Sequence, residues 1–379
     1  MIYFDNNATT AIAPEVIDAM LPYLNDNFGN ASSAHEVGRI ARSAVEAARE
    51  QVSTFLGAKR SSEIAFTSGG TESDNWAILG ALQLQSEKRH IVTTSVEHEA
   101  VRKLCDKLER DGYSVTRLAV DRGGMIDLDE LRSSITEQTA VVSIMTANNE
   151  TGVIFPIADA VKIVKENSSA LFHTDAVNAA GKIAIDVSIS SVDLLSISGH
   201  KFHAPKGIGA LYIRDGINLA PTFVGGGQES GRRAGTEAVH QIVALGSAAE
   251  LYSNQPATHQ IQELRDRLEN GILSTIECAS VNGDRENRLP NTTNISFENL
   301  NGEMIMHLLD QADIYVSTGS ACNDAARTAS MVLQAMDVPF SRSMGSIRFS
   351  LGRYNTEAEV DVVLEKLPAI IERLHALAR

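Results

Sequence analysis

Six short runs rich in apolar and β-branched residues, EIAFTS, HIVTTS, SVTRLAV, TAVVSIM, ALFHTDAV and VDLLSIS, recur between residues 63 and 198. Polar-faced stretches of helical length, such as EAVRKLCDKLERDG and IADAVKIVKEN, lie between them. No other feature of the chain restricts its fold so tightly. Strands separated by helices must cross over to reach their neighbours, which produces a mostly parallel sheet with helices on both faces. Ahead of them, HEVGRIARSAVEAAREQVSTFLG places Val37, Ile40, Ala44, Val45, Ala48 and Val52 at three- and four-residue steps, the pattern of an amphipathic helix.

The polar stretch LYSNQPATHQIQ near 251–262 interrupts this alternation. Beyond it the chain reads as a helix, the strand-like TTNISFEN, a helix at 302–311, a loop around Cys322, SIRFSLG and a terminal helix. The expected architecture is therefore α/β, with a large domain over 14–250 and a smaller α+β domain from 1–13 and 251–379. The net charge of −15 argues against a nucleic-acid surface built on bulk charge. Cys105, Cys278 and Cys322 are odd in number and far apart, which points to a reducing compartment and to neither a disulfide framework nor a metal site. The opening MIYFDNNATT has no signal-peptide pattern, and no stretch approaches a membrane span, so a cytoplasmic protein is expected.

In such sheets ligands bind beyond the carboxyl ends of the strands, and the chemistry-bearing residues fall there. VDLLSIS runs into Ser198, Gly199, His200 and Lys201; a lysine at a buried strand end is partly desolvated, which frees its amine as a nucleophile. ALFHTDAV ends on Asp175, with Asn178 following; a buried carboxylate needs a cation, such as the ring nitrogen of pyridoxal phosphate. After EIAFTS come Gly69, Gly70 and Thr71, where backbone N–H groups at a helix start suit a phosphate. His98 follows a third strand, and Asn148 and Asn149 a fourth. Each has an ordinary structural reading by itself. Their convergence on one sheet edge reads as a single anion-and-ring site.

These motifs resemble those of the group I cysteine desulfurases, the NifS/IscS type, within the class V aminotransferase superfamily. The likeness runs from YFDNNATT to SIRFSLGRYNTEAEVD. It implies a fold-type I pyridoxal-phosphate enzyme, with Lys201 in SGHK holding the cofactor as a Schiff base and Asp175 in HTDA pairing with its ring nitrogen. It implies that His98 stacks on the ring and assists with protonation, and that Asn149 lies beside it. Gly70, Thr71, Ser198 and His200 would bind the phosphate, and Thr236 in RRAGTEAVH would reach it from a second subunit of a homodimer with shared sites. Arg348 would clamp the carboxylate of L-cysteine, and Cys322 in STGSAC would take its sulfur as a persulfide, leaving L-alanine. A loop of Ser, Thr, Gly and Ala suits a thiol that must travel.

Two departures from the family pattern stand out. Asn178 occupies the place of a glutamine expected to bond the cofactor's phenolic oxygen, and Asn323 and Asp324 follow the nucleophile. The resemblance implies a sulfur-acceptor protein, in iron–sulfur cluster assembly, tRNA thiolation or DNA phosphorothioation. Rival readings are a selenocysteine lyase, an aminotransferase, or a degenerate scaffold of a sulfur pathway.

Overall fold

A computed structural model describes residues 1–318 and 329–378; the expected nucleophile Cys322, with Asn323 and Asp324, lies outside the described residues. Seven strands form the central sheet, in the spatial order Ile64–Thr67, Gly209–Ile213, Leu194–Ser198, Leu171–Asp175, Thr139–Ser143, His90–Thr94 and Ser114–Leu118. All six apolar runs contribute a strand. Gly209–Ile213 pairs antiparallel with both neighbours, so the other six point one way and end at one edge. Most of their residues are buried, as expected for a sheet covered on both faces.

The helices pack on this sheet through apolar stripes. On Gly70–Leu84, Trp76, Ala77, Ile78 and Ala81 are buried, and Trp76 Nε1 donates to Ala220 O at 2.9 Å. Glu36–Leu56 lies along Val239–Asn254 with Ala41, Ala44, Val45, Ala48 and Val52 inward. Gly246 permits that approach, since a Cβ there would sit 2.7 Å from Ala48 Cα. Val37 and Ile40 depart from the expected inner face, being 38 % and 39 % exposed in the single chain. They lie in the first turns of the helix, where Gly38 is the buried residue, packed against Ser33 and Asn30.

A second core gathers Phe4 with residues from Ile261 to Leu374 around the antiparallel strands Ala279–Asn282, Thr292–Phe297 and Ser346–Ser350. The chain's beginning joins it: Ile2–Tyr3 pairs in parallel with Ile314–Tyr315, and Phe4 is fully buried. Val332, Leu333 and Met336, just after the undescribed stretch, pack instead into the core of the large sheet.

Candidate functional site

A cavity of about 290 Å³ opens at the common strand edge. Asp175 terminates the strand Leu171–Asp175 and enters it, with Oδ1 accepting from Val177 N at 2.8 Å. Burial raises the affinity of Asp175 for a proton, opposed by its neighbours His98 and Lys201 and by the N–H of Val177. Lys201 follows the strand Leu194–Ser198 on a single 3₁₀ turn, and its Nζ donates to Asn7 O at 2.5 Å and Ala8 O at 3.0 Å. The lysine thus bridges the large sheet and the start of the chain.

His98 caps the helix Glu99–Arg110: its Nδ1 accepts from Ala100 N at 3.2 Å, leaving Nε2 to carry the proton of a neutral ring. Gly69, at φ 145°, turns the chain from Ile64–Thr67 into the helix Gly70–Leu84, whose N-terminal Gly70 and Thr71 line the cavity. Only glycine adopts that backbone angle readily. A side chain on Gly70 would also collide with Val177, its Cβ lying 2.7 Å from Cγ2. Ser198 lies beside this helix start, its Cβ 3.6 Å from where a Gly70 Cβ would stand, and His200 lines the cavity as well. His200 Nδ1 lies 3.2 Å from Thr9 Oγ1, and burial followed by the charge of Lys201 pushes His200 down to about 4.

Asn149 lines the cavity too, while its carbonyl accepts from Arg348 Nη1 at 3.0 Å and Asn7 Nδ2 at 3.2 Å. Asn148 holds the turn: Oδ1 accepts from the backbone N–H of Glu150 and Thr151, both at 2.9 Å. Arg348, on the strand Ser346–Ser350, sends Nη2 to Asp5 Oδ1 at 2.7 Å and has no hydrogen-bond partner at Nε. Asn178 completes the wall, with Nδ2 donating to Asn148 O at 3.3 Å.

One residue named from the sequence lies elsewhere. Thr236 lines a separate depression with Ser68, Gly207 and Gln241. Cys322 is outside the described residues, although Ser317 and Thr318, which precede it, line the cavity. The sequence reading missed Asp5, Asn7 and Asp74. The first two were legible only as part of YFDNNATT, and nothing local in that stretch announces a site 340 residues from Arg348.

This cavity suits a flat cationic ring bearing a phosphate. Asp175 offers a buried carboxylate, Asp74 presents an oxygen with no hydrogen-bond partner, and the Gly70–Thr71 helix start gives a cradle too narrow for a Cβ. Those are the demands of pyridoxal phosphate, with Lys201 within the same cavity.

Comparison with known proteins bears on the same residues. The model of the aminotransferase class-V family matches residues 2–363. A cysteine desulfurase of Trichormus azollae is 54 % identical over 380 residues, covering 100 % of this chain and 94 % of the relative. The cysteine desulfurase NifS of Azotobacter vinelandii is 48 % identical, covering 98 % of this chain and 93 % of its own. Among solved structures, a NifS-like protein superposes with a TM-score of 0.93 at 40 % identity, over 98 % of this chain and 100 % of that one.

Proposed function

The chain belongs to the aminotransferase class-V family and is a pyridoxal-phosphate-dependent cysteine desulfurase, and on that premise we propose how its residues divide the work. The observation that carries the proposal is the convergence of Lys201, Asp175, His98 and Arg348 on one cavity from four separate segments.

Pyridoxal phosphate supplies an electron sink for charge developing at the substrate Cα. Lys201 would hold it through Nζ and Asp175 would pair with its ring nitrogen. Gly70, Thr71, Ser198 and His200 would hold its phosphate, with Asn149 and Asn178 as further cofactor-binding residues. Arg348 binds the α-carboxylate of L-cysteine through its guanidinium fork. Lys201 Nζ then moves the Cα proton, and His98 Nε2 holds or returns one near the leaving sulfur. The Cys322 thiolate attacks the substrate sulfur, so that an S–S bond forms as the C–S bond breaks. L-Cysteine and a thiol become L-alanine and a persulfide, with no external oxidant. A sulfur acceptor in iron–sulfur cluster assembly, tRNA thiolation or DNA phosphorothioation then takes the outer sulfur.

Two copies form the working unit, each lending Thr236 to the other's phosphate site. The placement of Thr236 away from its own cavity supports this, as do Phe223 and Val224, which are 51 % and 92 % exposed nearby. Residues 14–250 make the cofactor domain and 1–13 with 251–379 the smaller one, a division supported by the second core around Phe4. Among the described residues no helix is long and apolar enough to cross a membrane, and we assign the enzyme to the cytoplasm. Borohydride reduction of the holoenzyme followed by peptide mapping tests the arrangement. The pyridoxyl group is expected on Lys201; its recovery on another lysine would overturn it.

A further inference from the structure

One carboxyl group in the cavity has no part in the scheme above. Asp74 sits in the first turns of Gly70–Leu84, 1 % exposed, with Oδ1 lacking any hydrogen-bond partner. A carboxylate oxygen of Asp74, one of Asp175 and a ring nitrogen of His98 all lie within 4.8 Å of one another. Two carboxylates so close and so dry cannot both ionise cheaply, and His98, whose Nδ1 accepts from Ala100 N, sets no fixed positive charge between them.

The groups packed around Asp74 do not supply a second cation. His173 Nε2 lies 3.6 Å from Asp74 Oδ1, but this ring is fully buried between the hydroxyls of Ser143 and Ser196, at 2.9 Å and 3.0 Å. Burial drives His173 down to about 3, so it is neutral at physiological pH. Glu97, from the segment after His90–Thr94, is a third buried acid; burial pushes it up to about 8. Burial, then the charge of Asp175, push Asp74 upward as well, against a hydrogen bond from Ser196. The positive charge of Lys201 acts on Asp175.

We propose that Asp74 carries a proton in the holoenzyme and is a positioning residue for Asp175, so that the pair presents one negative charge to the cofactor ring. The inference rests on the reading that Asp175 faces the ring nitrogen. A neutral Asp74 carboxyl keeps the charge of the site matched to a single pyridinium and offers a donor toward His173 Nε2, 3.6 Å from Oδ1. An ionised Asp74 would leave the site with an uncompensated charge.

Infrared spectroscopy of the holoenzyme tests this without turnover, since only a protonated carboxyl shows the acid carbonyl stretch. Wild type, D74N, E97Q and D175N are compared, each loaded with pyridoxal phosphate. The expected result is a band that D74N removes and E97Q leaves in place. The pH titration of the bound cofactor's absorbance should move by less than about 0.3 unit in D74N, because asparagine preserves shape and neutrality. In D74L, which removes the donor, cofactor affinity should fall about tenfold. If either variant fails to fold, D74S, neutral and still a donor, takes the place of D74N.

If every acid carbonyl band of wild type survives in D74N, or the absorbance titration is displaced by about one unit or more, Asp74 was a charge, and the inference fails. Stoichiometric metal co-purifying with wild type and lost in D74N would overturn it equally, because the carboxyl would then be a ligand. Failure of the underlying reading is seen separately: D175N would keep its cofactor and its absorbance unchanged.

Discussion

Lys182 Nζ donates to Asn178 O at 2.8 Å and to Asn178 Oδ1 at 2.9 Å, both partners being buried beside the cavity. This contact sets the Asn178 amide, with its oxygen toward the lysine and its Nδ2 toward Asn148 O at 3.3 Å. An asparagine where a glutamine is expected thus comes with a lysine amine that fixes its orientation. Replacing Asn178 with alanine should shift the absorbance of bound pyridoxal phosphate. An unchanged spectrum would remove Asn178 from the cofactor's surroundings.

The same pair gives a pH dependence. Burial, then the charges of Lys201 and Arg348, hold Lys182 well below the ordinary lysine range. The unfolded chain, whose lysines titrate near about 10.4, binds more protons at this site, so its stability contribution is lost as pH falls below that value. K182M lacks the group. Its melting temperature relative to wild type should therefore rise as pH is lowered from about 10 to about 7. A pH-independent difference would contradict the shift.

Glu97 produces the opposite slope. Burial raises it to about 8, and an unfolded glutamate titrates near about 4.3. Stability from its neutral form is complete below the unfolded value and is lost as pH rises through about 8. E97Q should have a flatter melting profile between about pH 5 and 9, gaining on wild type at the alkaline end. Parallel profiles would show that Glu97 ionises normally.

Arg348 is held by Asp5 Oδ1 at 2.7 Å and Asn149 O at 3.0 Å, a geometry that a lysine cannot copy. R348K should raise KM for L-cysteine by about 10- to 100-fold, the worth of a charge-assisted hydrogen bond, with a smaller change in kcat. Steady-state kinetics decide. A loss confined to kcat would place Arg348 outside substrate binding.

Arg49 and Glu229 form a buried fork, Nη1–Oε2 at 2.7 Å and Nη2–Oε1 at 3.0 Å, and Phe66 N donates to Oε2 at 3.0 Å. The pair anchors the segment leading to Thr236 against the strand Ile64–Thr67. Breaking one side of such a pair costs about 3–5 kcal/mol, so R49A should lower unfolding stability by that order. Denaturant titration measures it, and a loss under about 1 kcal/mol would make the pair incidental.

Strand ends were legible in the sequence because apolar, β-branched runs stop abruptly at Asp175, Ser198 and Thr67, and parallel strands bring those stops to one edge. Asp5 and Asn7 were not. They sit on a segment whose only strand, Ile2–Tyr3, exists by pairing with Ile314–Tyr315, so their placement depends on contacts more than 300 residues away. Asp74 was hidden for another reason. A polar residue in the first turn of a helix reads as solvent-facing, and only the packing of Gly70–Leu84 under the strand ends turns it inward. Thr236 cannot be placed by its own chain, because the site it is proposed to serve belongs to a second copy.

The most direct measurement is alanine and sulfide release from L-cysteine with dithiothreitol, for wild type and Cys322→Ser, each checked for bound pyridoxal phosphate. The account predicts both products from wild type, and neither from a mutant that keeps its cofactor. A Cys322→Ser enzyme that still makes alanine and sulfide at the wild-type rate would contradict it, because the sulfur would then leave without passing through that thiol.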